Sequence, residues 1–202
     1  MKIGVLDYGA GNLHSVSNAL NLLGMDVVLV DKAVPCSEID SLIIPGVGAF
    51  KPAMDRIRER HLDTFVHEFH KSGKTIIGIC LGMQLLATSS SEHSLSSGLN
   101  LISGEINKID GVNKLPSIGW YRVEVKGTPF NDRAVEIINN NYFYFVHSYH
   151  FRPTNNDKLL GTYQIDCAPV SAIVGSENVI GFQFHPEKSG EAGLALLYEC
   201  LT

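Results

Sequence analysis

Residues 76–84 read Ile76-Ile77-Gly78-Ile79-Cys80-Leu81-Gly82-Met83-Gln84, and Leu85-Leu86-Ala87 follow. An apolar strand pattern runs into a cysteine with a glycine two residues before it and another two residues after it, and a helix-favouring segment begins at once. Small residues at those two positions permit a sharp strand-to-helix turn that lifts the cysteine out of the sheet, with sulfur in place of the oxygen of a G-x-S-x-G elbow. At the start of the helix the free backbone N–H groups favour thiolate over thiol, and the thiolate is the nucleophile. A lone cysteine more commonly fills a core; glycines on both sides at this spacing favour the elbow over that reading.

Upstream, apolar runs at 3–6, 27–30, 42–44 and 75–79 alternate with helical periodicity. Leu13, Val16, Leu20 and Leu23 share one helix face that Gly24 closes, and Phe50, Met54, Ile57, Phe65, Val66 and Phe69 mark helical material ended at Ser72-Gly73. Strand and helix in alternation imply parallel strands joined by crossovers: an α/β fold with an open, mostly parallel sheet and helices on both faces. Past Ala87 a serine-rich stretch gives way to short β-like runs separated by Gly, Asn and Pro. We expect a mixed or antiparallel extension there, with strands at 120–125, 142–147, 161–165, 172–174 and 179–184. A closing helix at 192–201 presents Leu194, Leu197 and Leu201 to the sheet. The length of 202 residues suits one domain, 1–202.

A cysteine nucleophile requires a base that a third group orients. Gly181-Phe182-Gln183-Phe184-His185-Pro186-Glu187 brings His185 to the end of an alternating strand, and Glu187 stands two residues on, placed to fix the imidazole tautomer. The turn Pro45-Gly46-Val47-Gly48 follows another strand, and its glycines allow backbone N–H groups to turn toward a developing oxyanion. Either segment alone would be an ordinary structural histidine or an ordinary tight turn. Together with the elbow they supply nucleophile, base, orienting acid and oxyanion donors.

Composition narrows the partners. The formal net charge is −5, the hydrophobic fraction 45% and the charged fraction 18%, without long acidic or basic runs, which argues against nucleic acid and anionic membrane surfaces. No apolar stretch approaches the roughly 20 residues needed to span a bilayer. The start, Met1-Lys2-Ile3-Gly4, lacks an export pattern, and Cys36, Cys80, Cys167 and Cys200 are too irregularly spaced for a disulfide framework or a zinc knuckle. These features lead us to expect a cytoplasmic chain with no metal and no cofactor. Gly9-Ala10-Gly11 lacks the third glycine of a dinucleotide fingerprint, His14 standing in its place; His67-Glu68-Phe69-His70 is misspaced for a zinc helix; the aromatic run 142–145 reads as core.

The Gly-Ile-Cys-Leu-Gly-Met-Gln elbow, the Pro-Gly-Val-Gly turn and the late Phe-His-Pro-Glu, in this order across the chain, resemble the class I, triad-type glutamine amidotransferases. Asp7-Tyr8-Gly9-Ala10-Gly11-Asn12-Leu13, Phe145-Val146-His147-Ser148-Tyr149 and Lys188-Ser189 are similar to segments of the glutaminase subunits of imidazole glycerol phosphate synthases, which serve histidine biosynthesis. The resemblance implies that Cys80 attacks the glutamine side-chain amide and that His185, oriented by Glu187, assists departure of ammonia. It further implies an oxyanion hole from the backbone of Gly46, Val47, Gly48 and Leu81. Gln84 and Glu92 would hold the amino-acid end of glutamine, with backbone contacts from Ser148 and Tyr149. The partner implied is a synthase (cyclase) subunit in a heterodimer, which takes ammonia through an internal channel, with Tyr8 to Asn12 and Lys188-Ser189 lying toward it.

One segment departs from the family pattern: Ser117 and Tyr121 stand where His and Asn are usual. Two destinations for the ammonia therefore stay open, the histidine-pathway synthase and a related synthase in surface-sugar biosynthesis. A cysteine peptidase or deglycase of the same fold is a further alternative, and a catalytically silent binding subunit another. The late His-x-Glu pair and the Pro-Gly-Val-Gly turn favour glutamine over the peptidase.

Overall fold

The structure is a computed structural model that describes residues 1–9, 11–127, 130–166 and 168–202. Ala10, in the segment attributed to the partner-facing side, and Cys167 lie outside the described residues. The first half comprises β1 (Lys2–Leu6), α1 (Leu13–Leu22), β2 (Asp26–Val30), β3 (Ser41–Ile44), α2 (Phe50–Glu59), α3 (Leu62–Lys71), β4 (Ile76–Ile79) and α4 (Leu81–Leu85). There follow β5 (Ser89–Ser90), β6 (Ser96–Ser97), β7 (Gly104–Lys108), β8 (Ser117–Arg122), β9 (Glu124–Val125), α5 (Asp132–Asn140), β10 (Tyr142–His147) and β11 (Tyr149–Pro153). The chain closes through β12 (Leu159–Ile165), β13 (Ala168–Ser176), β14 (Val179–Phe182) and α6 (Gly190–Leu201).

An 8-stranded sheet in the order β2-β1-β3-β4-β14-β13-β12-β9 forms the frame. Its pairs from β2 to β14 are parallel, and those from β14 to β9 are antiparallel. Side chains alternate across a strand, so Ile3, Val5, Ile43, Ile77 and Ile79 pack on one face with residues of α1, α5 and α6. Leu6, Leu42, Ile44 and Ile76 pack on the other with α2, α3 and α4. Helices thus cover both faces, as the alternation in the first half predicts. A 4-stranded sheet, β11-β7-β5-β6, and a 2-stranded one, β10-β8, make the mixed extension.

Three expectations need correction. The run 120–125 is not one strand: β8 pairs antiparallel with β10, while Glu124 and Val125 cross to the edge of the main sheet against β12. Buried Val123 lies between the two strands. The last strand stops at Phe182: the Gln183 N–H still donates to the Ala172 carbonyl of β13, but the His185 N–H donates to the Tyr144 carbonyl of β10, outside this sheet. A helix at α5, absent from the expected elements, starts at Asn131, whose side chain accepts from the Ala134 N–H, and buries Ala134 and Ile138 four residues apart.

Candidate active site

Cys80, the residue after β4, has φ 54° and ψ −109°, a positive-φ conformation that costs a non-glycine residue about 1–3 kcal/mol and must be held by its surroundings. Those surroundings are close. A Cβ added at Gly78 would stand 2.7 Å from the Gly82 carbonyl oxygen, and one at Gly82 would overlap the carbonyl oxygen of Ile44 on β3. The two glycines therefore serve close packing of elbow against neighbouring backbone. The Cys80 side is fixed by its N–H, which donates to the Phe182 carbonyl at 2.7 Å.

Strand register assembles the rest. β3 and β14 flank β4 in parallel, with Ile44 opposite Gly78 and Phe182 opposite Ile79. The Pro45–Gly48 turn and the segment 183–187 consequently leave the sheet at the same edge as Cys80, the carboxyl end where open α/β sheets place their sites. Val47, Gly48, Cys80, Leu81, Gln84, Glu92, Ser148, Tyr149 and His185 line one cavity of about 370 Å³, together with Pro116, Val146 and His147. Gly46 lies beneath it: a Cβ there would come within 2.8 Å of the Gly82 nitrogen and 2.9 Å of the Tyr8 hydroxyl. Tyr8, fully buried, donates that hydroxyl to the Pro45 carbonyl at 2.9 Å and anchors the turn. Gly48 has φ +105° with open space where a Cβ would go.

His185 Nδ1 lies 2.8 Å from Glu187 Oε1, and both side chains are buried. A carboxylate oxygen can only accept, so Nδ1 carries a hydrogen. Among the described residues Nε2 is buried with no hydrogen-bond partner, the Cys80 sulfur included. Burial alone would lower the imidazole's proton affinity, but the Cys80 sulfur and the Glu187 carboxylate together outweigh it and raise its pKa to about 9. The site therefore favours the imidazolium form of His185. Glu187 does not reach the cavity; it stands behind His185.

Gln84 and Glu92 reach the cavity, each already tied to the protein. Gln84 Nε2 donates to the Tyr149 carbonyl and to Gln183 Oε1, both at 3.0 Å. Glu92 Oε2 accepts from the Phe50 N–H at 2.6 Å. The sequence reading missed two contributors. His147 donates Nδ1–H to the same Tyr149 carbonyl at 2.7 Å and accepts from the Tyr163 hydroxyl at 2.6 Å; burial lowers its pKa to about 4, which keeps it neutral. Gln183, fully buried, places Nε2 3.8 Å from Cys80 Sγ. Both stand inside quoted motifs, yet only strand register shows what they touch. Ser117 is buried and its hydroxyl meets that of Tyr121 at 3.3 Å.

Known proteins were compared with this chain. The family described as glutamine amidotransferase class-I matches residues 4–201. The chain is 43% identical over 196 residues to the imidazole glycerol phosphate synthase subunit HisH of Oceanobacillus iheyensis, with 96% of each chain covered. It is 39% identical over 198 residues to the subunit of the same name from Prochlorococcus marinus, covering 97% of this chain and 95% of the relative. Among solved structures, PurLQS from Thermotoga maritima superimposes with a TM-score of 0.76 at 21% identity, covering 99% of this chain and 97% of that one. A structure described as glutamine amidotransferase gives 0.71 at 20% identity, covering 98% of both. At those identities the structural likeness speaks to the fold alone. A cysteine elbow facing a buried His–Glu pair, on this sheet and under a family match spanning nearly the whole sequence, leads to one conclusion: the chain belongs to the class I glutamine amidotransferase family.

Proposed function

We propose that this chain is the glutaminase subunit of an imidazole glycerol phosphate synthase, hydrolysing glutamine to glutamate and ammonia and passing the ammonia to a synthase subunit in a heterodimer. The observation that carries this reading is the alignment of Cys80 with the buried His185–Glu187 pair, in a chain 43% identical to a named subunit of that enzyme. Cys80 Sγ attacks the side-chain amide carbon of glutamine, and N–H groups of the Gly46–Gly48 turn and of Leu81 receive the oxyanion. His185 gives a proton to the nitrogen as the C–N bond breaks, and ammonia leaves. The same imidazole then takes a proton from the water that hydrolyses the thioester, and glutamate departs. Glu187 orients the ring, while Gln84, Glu92, Ser148 and Tyr149 hold the amino-acid end of the substrate.

We read residues 1–202 as one domain, because the 8-stranded sheet takes strands from β1 through β14. A cytoplasmic setting fits the free thiols of Cys36, Cys80 and Cys200. The surface-sugar alternative rests on Ser117 and Tyr121. Ser117 is buried, and Tyr121 packs on Phe145 and Tyr163. The departure therefore falls largely in the interior, which keeps the histidine-pathway synthase first. The test is glutamate release by the purified chain, alone and with the cognate synthase and its acceptor ligand. Weak turnover alone and a strong rise in the complex are expected; full activity alone, or peptide hydrolysis without glutamine turnover, would contradict the reading.

A further inference from the structure

Gln183 is fully buried at the first position beyond β14, beside the nucleophile. The parallel register puts Phe182 opposite Ile79, so the next residues, Gln183 and Cys80, are neighbours as their strands end. Which end of the Gln183 amide faces the sulfur follows from a group that cannot be turned around. The Tyr149 backbone carbonyl only accepts, so the Gln84 atom 3.0 Å from it is the NH2 nitrogen. That same nitrogen is 3.0 Å from the Gln183 amide, which must therefore offer its oxygen. The Gln183 NH2 is left pointing at Cys80 Sγ, 3.8 Å away. The Tyr149 carbonyl is in turn held by His147 Nδ1–H at 2.7 Å, which fixes the start of the relay.

We propose that Gln183 is a further catalytic residue of the glutaminase site: its side-chain N–H donates to the Cys80 thiolate, and Gln84 holds it in that orientation. Only the charged sulfur is a strong acceptor, so the donor favours thiolate over thiol and adds to what His185 supplies. Cys80 passes its proton to His185 Nε2, and the resulting thiolate sits between an imidazolium and an amide N–H. The relay also joins the nucleophile to Gln84, a wall of the cavity. The inference rests on Cys80 being the nucleophile.

The experiment follows alkylation of Cys80 by iodoacetamide in the full chain as a function of pH, with the modified peptide identified by mass spectrometry. Gln183→Met keeps the volume and removes the donor. It is expected to shift the half-maximal pH of alkylation upward by about one unit, and an unmoved profile in a folded variant overturns the proposal. A second measurement needs no substitution at 183. In the wild-type chain the Gln183 side-chain amide proton, followed by NMR, should move downfield with the same midpoint as Cys80 alkylation, and the movement should vanish in Cys80→Ser. An amide that ignores this titration overturns the proposal even where Gln183→Met does not fold. Wild-type Cys80 no more reactive than Cys36 would overturn both this inference and the glutaminase reading beneath it; a reactive Cys80 with an unmoved profile would overturn this inference alone.

Discussion

His185 Nδ1 and Glu187 Oε1 meet at 2.8 Å with both side chains buried, an ion pair formed between residues two apart in sequence. The folded pKa of about 9 lies above the ordinary 6.5, so the folded protein holds this proton more tightly than the unfolded chain. The stabilisation is complete below about pH 6.5 and is lost as pH rises from there through about 9. Glu187→Gln removes one of the groups that raise the pKa, so the loss of stability should be smaller and should end at lower pH, read from thermal midpoints between pH 6 and 10. An unchanged pH dependence would show that Glu187 does not act on this ring. Glutamine turnover should fall roughly 10²- to 10³-fold in the same variant, because the acid orients and stabilises without touching substrate.

Gly82 and Gly48 should respond differently to the same methyl group. At Gly82 a Cβ would overlap the Ile44 carbonyl oxygen, a backbone atom that cannot rotate away. Gly82→Ala should therefore cost about 3 kcal/mol or more, or abolish folding. At Gly48 there is open space, and only the φ of +105° opposes a side chain, at about 1–2 kcal/mol. Gly48→Ala should stay folded yet lose most of the acceptor-induced rise in turnover, since the turn can no longer aim its N–H freely. Denaturant unfolding and coupled glutaminase assays separate the two effects. A normal acceptor-induced rise in Gly48→Ala would show that activation does not use this turn.

Much of this was legible because it is local. Gly78-Ile79-Cys80-Leu81-Gly82 encodes an elbow in five consecutive residues, and His185-Pro186-Glu187 encodes a pair in three. The parallel half was legible too, since its buried strands are short unbroken apolar runs between amphipathic helices. β7 and β11 were not: Gly104–Lys108 and Tyr149–Pro153 are polar or interrupted, and they become strands by pairing with each other. Gln183 was silent for a related reason. Nothing in its neighbours along the chain announces Cys80, about a hundred residues away, until β4 and β14 come into register.

Tyr8 provides a test, from below, of the oxyanion role proposed for the Pro45–Gly48 turn. Its hydroxyl donates to the Pro45 carbonyl at 2.9 Å from a fully buried ring. Tyr8→Phe deletes one hydrogen bond and leaves the carbonyl without that donor, at about 1–3 kcal/mol of stability. With the turn less firmly held, turnover in the complex should fall more than glutamine affinity. Equal losses in both would assign Tyr8 to folding alone.

His147 sets the acid limit. Its pKa of about 4 lies below the ordinary 6.5, so the unfolded chain binds this proton first; the stabilisation is present above about pH 6.5 and is lost as pH falls through about 4. His147→Gln should flatten the fall in thermal midpoint over that window and raise the KM for glutamine, because the Tyr149 carbonyl loses a donor. A fall as steep as that of the wild-type chain would place the acid sensitivity elsewhere, with His150, also lowered to about 4 mainly by burial, the first residue to examine.

The central claim is that Cys80 liberates ammonia that another subunit consumes, and one pair of assays on a single variant tests it. Cys80→Ala, combined with the cognate synthase and its acceptor ligand, is supplied with glutamine in one assay and with an ammonium salt in the other. Product formation from glutamine should disappear, while formation from ammonium should match that of the wild-type complex. Loss of both routes would make Cys80 a structural residue, and survival of the glutamine route would place the nucleophile elsewhere.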